Sequence, residues 1–454
     1  MKKKNTARLI SPVRIMIFPG GTEIGLEIFR SLSCSRHIEL FGATSLERDA
    51  GCFLFRNYFT GLPFVNEEAF LPQFCKLLEE LEIDYVFPAH DTAGLFLIEH
   101  QRELPCKVLM SPAKTCRICR DKQKTYDHFK GVIPVPGVFH RENEVQQFPV
   151  FLKPRVGEGS KGVFLVKTKR ELSGILENKK DLLILEYLPG KEYTVDCFTD
   201  YRGNLIFVGA RERIRVSHGI SVDTRVVTDK RFNQIARVIN GHLRLRGAWF
   251  FQMKERAHGE LVLLEIAPRV SGGMGLFRNR GVNLPLLTVF DARRIPVEII
   301  EQEFPEEMQR CLCNHFPHAY VPSSRRRGRS DKDKYYFDHV YIDYDDCLVI
   351  QEKINYRLVL FLMQCRGSGI PVTVLTRHKG EYKISLQDFG LDKLINTFIE
   401  LHNGEKKSVY IKSKKPIFID DSFRERKEVY DTLQIPVFST DMIESLIDWS
   451  LWYG

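Results

Sequence analysis

Apolar residues recur along this chain with two periodicities, and the switch between them organises it. RIMIFPG is a short continuous apolar run that predicts a buried strand, GTEIGLEIFRSL a turn and helix, and IELFGAT a second strand. In LPQFCKLLEELEI, Leu71, Phe74, Leu77, Leu78 and Leu81 fall on one helical face, and DYVFPA follows as another strand. Strands alternating with helices predict an open α/β layer with a parallel sheet over residues 13–111.

From 112 to 310 the pattern changes. QQFPVFLKP, GVFLVK, DLLILEYL, EYTVDCF and NLIFVGARERI follow one another closely, and a helical run, RFNQIARVINGHLRL, precedes GAWFFQMKE and ELVLLEIAP. Closely spaced strands with few helices predict an antiparallel-rich α+β region. The polar, basic stretch within 311–335 reads as a linker. HVYIDYDDCLVI then opens a second α/β layer over 336–454. No internal repeat is evident.

A chain of 454 residues favours several domains, and 43% hydrophobic with 28% charged residues is the balance of folded protein. The net charge of +9 changes the picture little. Much of it sits in Lys2, Lys3, Lys4 and Arg8 and in the run Arg325, Arg326, Arg327 and Arg329, so a nucleic-acid partner is not the expectation. The eleven cysteines are scattered; Cys116 with Cys119 and Cys311 with Cys313 lack second pairs at zinc-site spacing. Free thiols and the absence of an apolar stretch near the ~20 residues of a membrane span predict a cytoplasmic protein with no membrane partner.

FPVFLKPRVGEGSKGVFLV ends a strand in Lys153 and continues through Gly157, Gly159, Ser160, Lys161 and Gly162. Glycines let backbone N–H groups converge on phosphate oxygens, and a lysine adds a point charge. LLILEYLPGKEYTVDCF offers Glu186, Tyr187 and Leu188, a Pro-Gly turn, and Glu192: an apolar slot with backbone donors and acceptors for a base, and a carboxylate for a ribose. In GAWFFQMKERAHGELVLLEIAPRVSGGMG, Glu265 and position 267 share a strand face, and Gln252 can oppose Glu265 across the pair, which suits a hard cation. Arg269 lies just past the strand end, suited to negative charge on a phosphoryl group. Arg211, Arg213 and Arg215, near His218 and Gly219, read either as a hold for an anionic substrate or as a solvated basic face.

In order and spacing these pieces resemble the ATP-grasp superfamily, particularly its carbamoyl-phosphate-synthetase-like and biotin-carboxylase-like branch, over residues 13–300. The resemblance implies a Rossmann-like layer, then an ATP-grasp fold binding ATP with Mg²⁺ or Mn²⁺. Lys122 and Lys153 would bind phosphates beneath the glycine loop, Glu186 to Leu188 would line the adenine slot, and Glu192 would hold the ribose. Gln252 and Glu265 would bind metal. A small-molecule carboxylate would react with ATP to give an acylphosphate and ADP, and an amine or other nucleophile would displace phosphate. The family usually reads Glu-Ile-Asn-Pro-Arg where this chain has EIAPR, so Ala267 withdraws a metal ligand. That departure leaves open a nucleotide-sensing module with little ligase activity.

Towards the C-terminus, HVYIDYDDCLVI ends a strand in Asp343 and Asp345, a pair suited to nucleophilic and general acid–base roles. IPVTVLTRH ends another in Thr376, and KKPIFIDDSFRER a third in Asp420 and Asp421, suitable for magnesium; Lys407 or Lys406 could balance the charge. These four in order resemble the haloacid dehalogenase superfamily, over residues 336–454. The resemblance implies a small α/β domain without a cap, with Asp343 forming an aspartyl-phosphate, Asp345 managing protons and a phosphorylated substrate. Cys347 stands where that family commonly has Thr.

Overall fold

The computed structural model describes residues 12–451 apart from 158, 160, 218, 312–313, 315, 317–318, 326–333, 352, 379–385 and 403. The chain divides into two compact units at residues 312 and 313. The basic residues Lys2, Lys3, Lys4, Arg8, Arg326, Arg327 and Arg329, together with Ser160, His218 and Cys313, lie outside the described residues.

Unit 1 opens with strands β1 (Val13–Phe18), β2 (Ile38–Ala43), β3 (Tyr58–Phe59), β4 (Tyr85–Pro88) and β5 (Lys107–Val108), parallel in the order β3-β2-β1-β4-β5. Strand order reverses beside β1, and a doubly wound sheet opens a crevice at the carboxyl ends of its strands there. Two helices start at that end. Glu23–Leu32 is capped by Thr22, whose hydroxyl accepts from the Gly25 N–H, and Asp91–Glu99 follows β4. Helix Phe70–Glu80 buries Phe70, Phe74 and Leu78, with Leu71, Leu77 and Leu81 at the flank. The buried stripe thus centres one position earlier than predicted, because Phe70 belongs to the helix and packs 5.3 Å from Phe18.

An antiparallel sheet follows, β6 (Val138–Phe139), β7 (Val150–Pro154), β8 (Phe164–Val166) and β9 (Leu182–Glu186), in the order β6-β9-β7-β8. The largest sheet contains β10 (Glu192–Thr199), β11 (Leu205–Ser217), β12 (Ile220–Val227), β13 (Gly247–Glu255), β14 (Leu261–Ala267) and β15 (Glu307–Gln309), antiparallel in the order β14-β13-β10-β11-β12-β15. Trp249, Phe251 and Met253 turn one way, into a core closed by Phe232, Ala236 and Ile239 of helix Lys230–His242. Side chains alternate along a strand, so Phe250, Gln252 and Lys254 turn to the opposite face.

Unit 2 contains the parallel pair β16 (Tyr320–Pro322) and β17 (Tyr335–Phe337). Strand β16 lies within the stretch expected as linker, where Arg325 pairs with Asp448 at 2.8 Å. Its main sheet is parallel and centred on β18 (His339–Ile342). A small hairpin, β19 (Val349–Ile350) and β20 (Lys353–Ile354), precedes β21 (Val372–Thr376), β22 (Thr397–Glu400), β23 (Pro416–Ile419) and β24 (Val437–Phe438), and the order is β22-β21-β18-β23-β24. Again the order reverses at the central strand.

Among the described cysteines, Cys106, Cys116, Cys119, Cys197, Cys347 and Cys365 are buried free thiols. Among the described residues, no helix is long and apolar enough to cross a membrane. Phe74 is fully buried, with rings of Phe18 and Phe70 at 5.0 and 5.2 Å. Replacing Phe74 with alanine is expected to destabilise unit 1 by about 3–5 kcal/mol, read as a lower urea midpoint.

Candidate active site

Two cavities of unit 1 meet along β14. The larger, about 350 Å³, is lined by Lys122, Gly157, Gly159, Gln252, Glu265 and Arg269, among others. The smaller, about 100 Å³, is lined by Lys153, Glu186, Tyr187, Leu188, Glu192 and Leu264 with Lys254. Consecutive residues Leu264 and Glu265 therefore face different cavities.

The glycine loop is tied at its base. Asp121 caps helix Lys122–Phe129 by accepting from the Lys124 N–H, and Arg155 holds the same carboxylate at 2.8 Å. Lys122 Nζ and Arg120 Nη1 donate to the Gly157 carbonyl at 2.9 and 3.3 Å. Gly159 and Gly162 adopt positive φ of 65° and 72°, backbone that a Cβ would strain. Gly162 does not line the cleft; it lies against Pro154, where a Cβ would approach Cγ to 3.2 Å.

Lys153 is buried, its Nζ donating to the Leu264 carbonyl at 3.2 Å beneath the Tyr126 ring. Burial drives its amine down to about 7; the Lys122 charge adds to this, and Glu265 and Glu192 oppose it. Glu186 shows the slot only its backbone and stem. Its carboxylate accepts from the Gly137 N–H at 3.0 Å and pairs with Arg256 at 2.5 Å. Glu192 is clamped on both oxygens, by Arg213 Nε at 3.2 Å and by Lys254 Nζ at 3.4 Å.

The register of the large sheet aligns the rest. Arg211 opposes Thr194, Thr194 opposes Gln252, and Gln252 opposes Glu265, giving one row across β11, β10, β13 and β14. The next row on that face is Gly209, Asp196, Phe250 and Ala267. Gln252 and Glu265 thus stand side by side as the sequence predicted, and Ala267 meets Phe250 where a third oxygen ligand would stand. Two side-chain oxygen ligands suit a divalent cation that takes its remaining ligands from phosphates and water.

The basic strand is not a solvated face. Arg211 and Arg213 are buried and Arg215 is exposed, because irregular register between 213 and 216 breaks the alternation.

Arg269 lines the larger cleft and is paired there. Its Nε and Nη2 grip Asp91 at 2.7 and 2.5 Å, and its guanidinium covers the Phe250 ring at 5.2 Å. Its charge is therefore matched by a carboxylate at the start of helix Asp91–Glu99, tying the first layer to the end of β14. Burial alone would raise the Asp91 carboxyl, but Arg269 outweighs burial and holds it at about 2. Asp91, Asp196, Ser271 and Lys254 had no motif to mark them.

In unit 2, Asp343, Asp420 and Asp421 bring carboxylate oxygens within 4.8 Å of one another. Lys407, buried, bridges Asp343 at 2.7 Å and Asp420 at 2.6 Å, whereas Lys406 is exposed. Burial raises the Asp343 carboxyl to about 7, the Lys407 ammonium opposing and Asp420 adding to the rise. Such a cluster, with two buried acids sharing one lysine, has donors suited to Mg²⁺. Asp345 is half-exposed and faces His378, whose Nδ1 lies 2.8 Å from its carboxylate. The Thr376 hydroxyl is buried and accepts from the His378 N–H at 3.0 Å. Buried Cys347 directs its thiol towards the Ile419 carbonyl.

Residues 178–309 match the family described as ATP-grasp in the biosynthetic pathway with Ter operon. The 3-methyl-D-ornithine–L-lysine ligase of Methanosarcina barkeri is 26% identical over 176 residues, 38% of this chain and 46% of that protein. The chain thus spans about half the length of this curated relative. The biotin carboxylase domain of the 2-oxoglutarate carboxylase of Hydrogenobacter thermophilus, solved with MgADP and bicarbonate, superposes with a TM-score of 0.54 at 15% identity, covering 64% of this chain and 71% of that one. N5-carboxyaminoimidazole ribonucleotide synthetase from Thermotoga maritima gives 0.51 at 19% identity, covering 67% and 81%. The fold shared with these proteins is the ATP-grasp fold.

Because the Asp91 carboxyl is depressed, its pair with Arg269 contributes about 2 kcal/mol above pH 4, and this is lost as the pH falls towards 2. Asp91→Ala is accordingly expected to lower unit 1 stability at pH 7, with the deficit shrinking in acid. Equal deficits at pH 7 and pH 2.5 in denaturant titrations would refute this.

Proposed function

We propose that unit 1 is an ATP-dependent, ADP-forming ligase that joins a small-molecule carboxylate to an amine or other nucleophile. The observation that carries this reading is the Gln252–Glu265 pair, set between a base-sized slot and a cleft lined by Lys122 and the glycine loop. The ligase name of the Methanosarcina relative and the MgADP in the Hydrogenobacter structure support it.

In this reading the backbone of Glu186 to Leu188 meets the adenine edge and Glu192 the ribose hydroxyls. Lys153 and Lys122 hold the phosphates under Gly157 and Gly159, and Gln252 and Glu265 hold Mg²⁺, or Mn²⁺. The bound cation neutralises phosphate charge. A carboxylate oxygen attacks the γ-phosphorus and ADP leaves; the nucleophile then attacks the acyl carbon, and phosphate leaves with one carboxylate oxygen. Arg269, fixed by Asp91, orients the cleft wall at the reacting end and leaves its charge shared. The protein thus acts by positioning and charge compensation.

The test is a screen of acids paired with amines, resolving ADP from AMP. ADP with an amide product is expected, and AMP would sink the mechanism. Ala267→Asn supplies the missing oxygen and is expected to tighten metal binding and raise turnover. Tight ATP binding with no ADP release in either protein would instead favour a nucleotide sensor.

The acidic cluster around Lys407 supports a second reading for unit 2: a magnesium-dependent phosphatase-like site acting on a phosphorylated substrate. Asp343 would be the nucleophile and Asp345, steadied by His378, the proton carrier. Asp343→Asn is expected to abolish hydrolysis of p-nitrophenyl phosphate while ADP release by unit 1 persists. Retained hydrolysis would remove the reading.

Phosphates favour the charged form of Lys153, whose amine sits at about 7 in the free cleft. Nucleotide binding should therefore take up a proton at pH 8 and none at pH 6, and affinity should fall as pH rises through 7. Calorimetry in buffers of different ionisation enthalpy measures the uptake, which Lys153→Met should abolish.

A further inference from the structure

Arg211 is 2% exposed, and its neighbours account for all but one edge of its guanidinium. Nε pairs with Asp196 Oδ2 at 2.9 Å, and Nη2 donates to Ser271 Oγ at 3.0 Å. Ser271 Oγ in turn donates to Asp196 Oδ1 at 2.5 Å, so the serine and the aspartate are occupied. Nη1 is buried without a partner. Arg211, Ser271, Gly272 and Gly273 all line the larger cleft. Gly273 admits the guanidinium beside its backbone: a Cβ there would come within 2.6 Å of Arg211 Cζ and 2.7 Å of Nη1.

Other cations on this wall have a carboxylate or carbonyl partner, although Arg213 Nε meets Glu192 only as an ion pair without a hydrogen bond. Arg213 pairs with Glu192 and donates to the Gly219 carbonyl, Arg269 grips Asp91, and Lys122 holds the Gly157 carbonyl. A buried charged N–H without an acceptor is unfavourable in the free protein, so a ligand supplying one is stabilised there.

We propose that Arg211 Nη1 anchors a carboxylate that is not consumed in the reaction. The inference rests on the ligase reading above and extends it to the substrate's chemistry. Arg211 stands three strands from Glu265 in the same row, roughly 14 Å between Cα atoms at about 4.8 Å per strand. A group held at Arg211 is therefore distinct from the carboxylate that meets the γ-phosphate beside Glu265. The class follows from the donor count. Asp196 already offsets the guanidinium charge and the Nη1 amino group remains, which suits a singly charged carboxylate and leaves a phosphate dianion underpaired. The two glycines, free of side chains, allow the turn above Nη1 to shift as the ligand enters.

Such a carboxylate has two sources: an amino acid acting as the amine, or the second acid group of a dicarboxylate that is activated at its other end. The full chain, saturated with MgADP, is titrated with L-alanine, L-glutamate, L-lysine and succinate, and with L-alaninamide, L-glutamic acid diamide, L-lysinamide and succinamide. At least one acid is expected to bind about tenfold or more tightly than its amide. Arg211→Lys and Gly273→Ala should each erase that preference while MgADP affinity stays within about twofold, which also reports folding. If one variant fails to fold, the other carries the test.

No acid preference in the wild type, or a preference that survives substitution, overturns the proposal. Failure of the wild type to bind MgADP overturns the ligase reading instead. Oxygen-18 in the carboxylates separates the sources. An amino acid acting as the amine keeps all its label in the amide product, whereas a dicarboxylate passes one labelled oxygen to phosphate and keeps two in its anchored group.

Discussion

Antiparallel register across β14, β13, β10 and β11 is the constraint on which the candidate site depends. It sets residues from four strands side by side on one face, while Trp249, Phe251 and Met253 on the other face are locked into a core with helix Lys230–His242. A slip of one residue in any of these strands would exchange core for cleft, so the apolar face enforces the polar one. The metal-suited pair, the clamped Glu192 and the buried Arg211 are consequences of that single alignment.

Charge is then handled locally rather than left to solvent. Cations on the wall of the cleft are matched to a carboxylate or carbonyl: Arg269 to Asp91, Arg213 to Glu192, Lys122 to Gly157. Pairing of this kind holds side chains in one geometry and keeps a strongly anionic nucleotide from meeting an equally strong excess of positive charge. Lys153 likewise donates to a carbonyl, and burial, reinforced by the Lys122 charge and opposed by Glu265 and Glu192, depresses its amine. Unit 2 reaches a similar economy with Lys407 between two acids.

Much of this was legible in the chain. The parallel layer, the antiparallel region, the glycine loop after Lys153, and the facing of Gln252 and Glu265 follow from local periodicity and from residue types whose chemistry is local. Ala267 was equally legible as a missing ligand, since an alanine offers no oxygen in any fold. The acids of unit 2 stood at strand ends, where a parallel sheet presents them together.

Other features needed the tertiary structure. Asp91 and Arg269 are 178 positions apart, and nothing near either names the other. Whether Arg211, Arg213 and Arg215 point inward depended on an irregular register that alternation does not foresee. Lys407 was separated from Lys406 by which side chain the fold buries between two acids. The chemical groups this protein possesses, and the elements that carry them, can be read from the chain alone, because they follow from short-range sterics and periodicity. Which charges cancel, and which nitrogen of Arg211 is left over, is settled by the folded chain, because pairing depends on distances between residues far apart in the sequence.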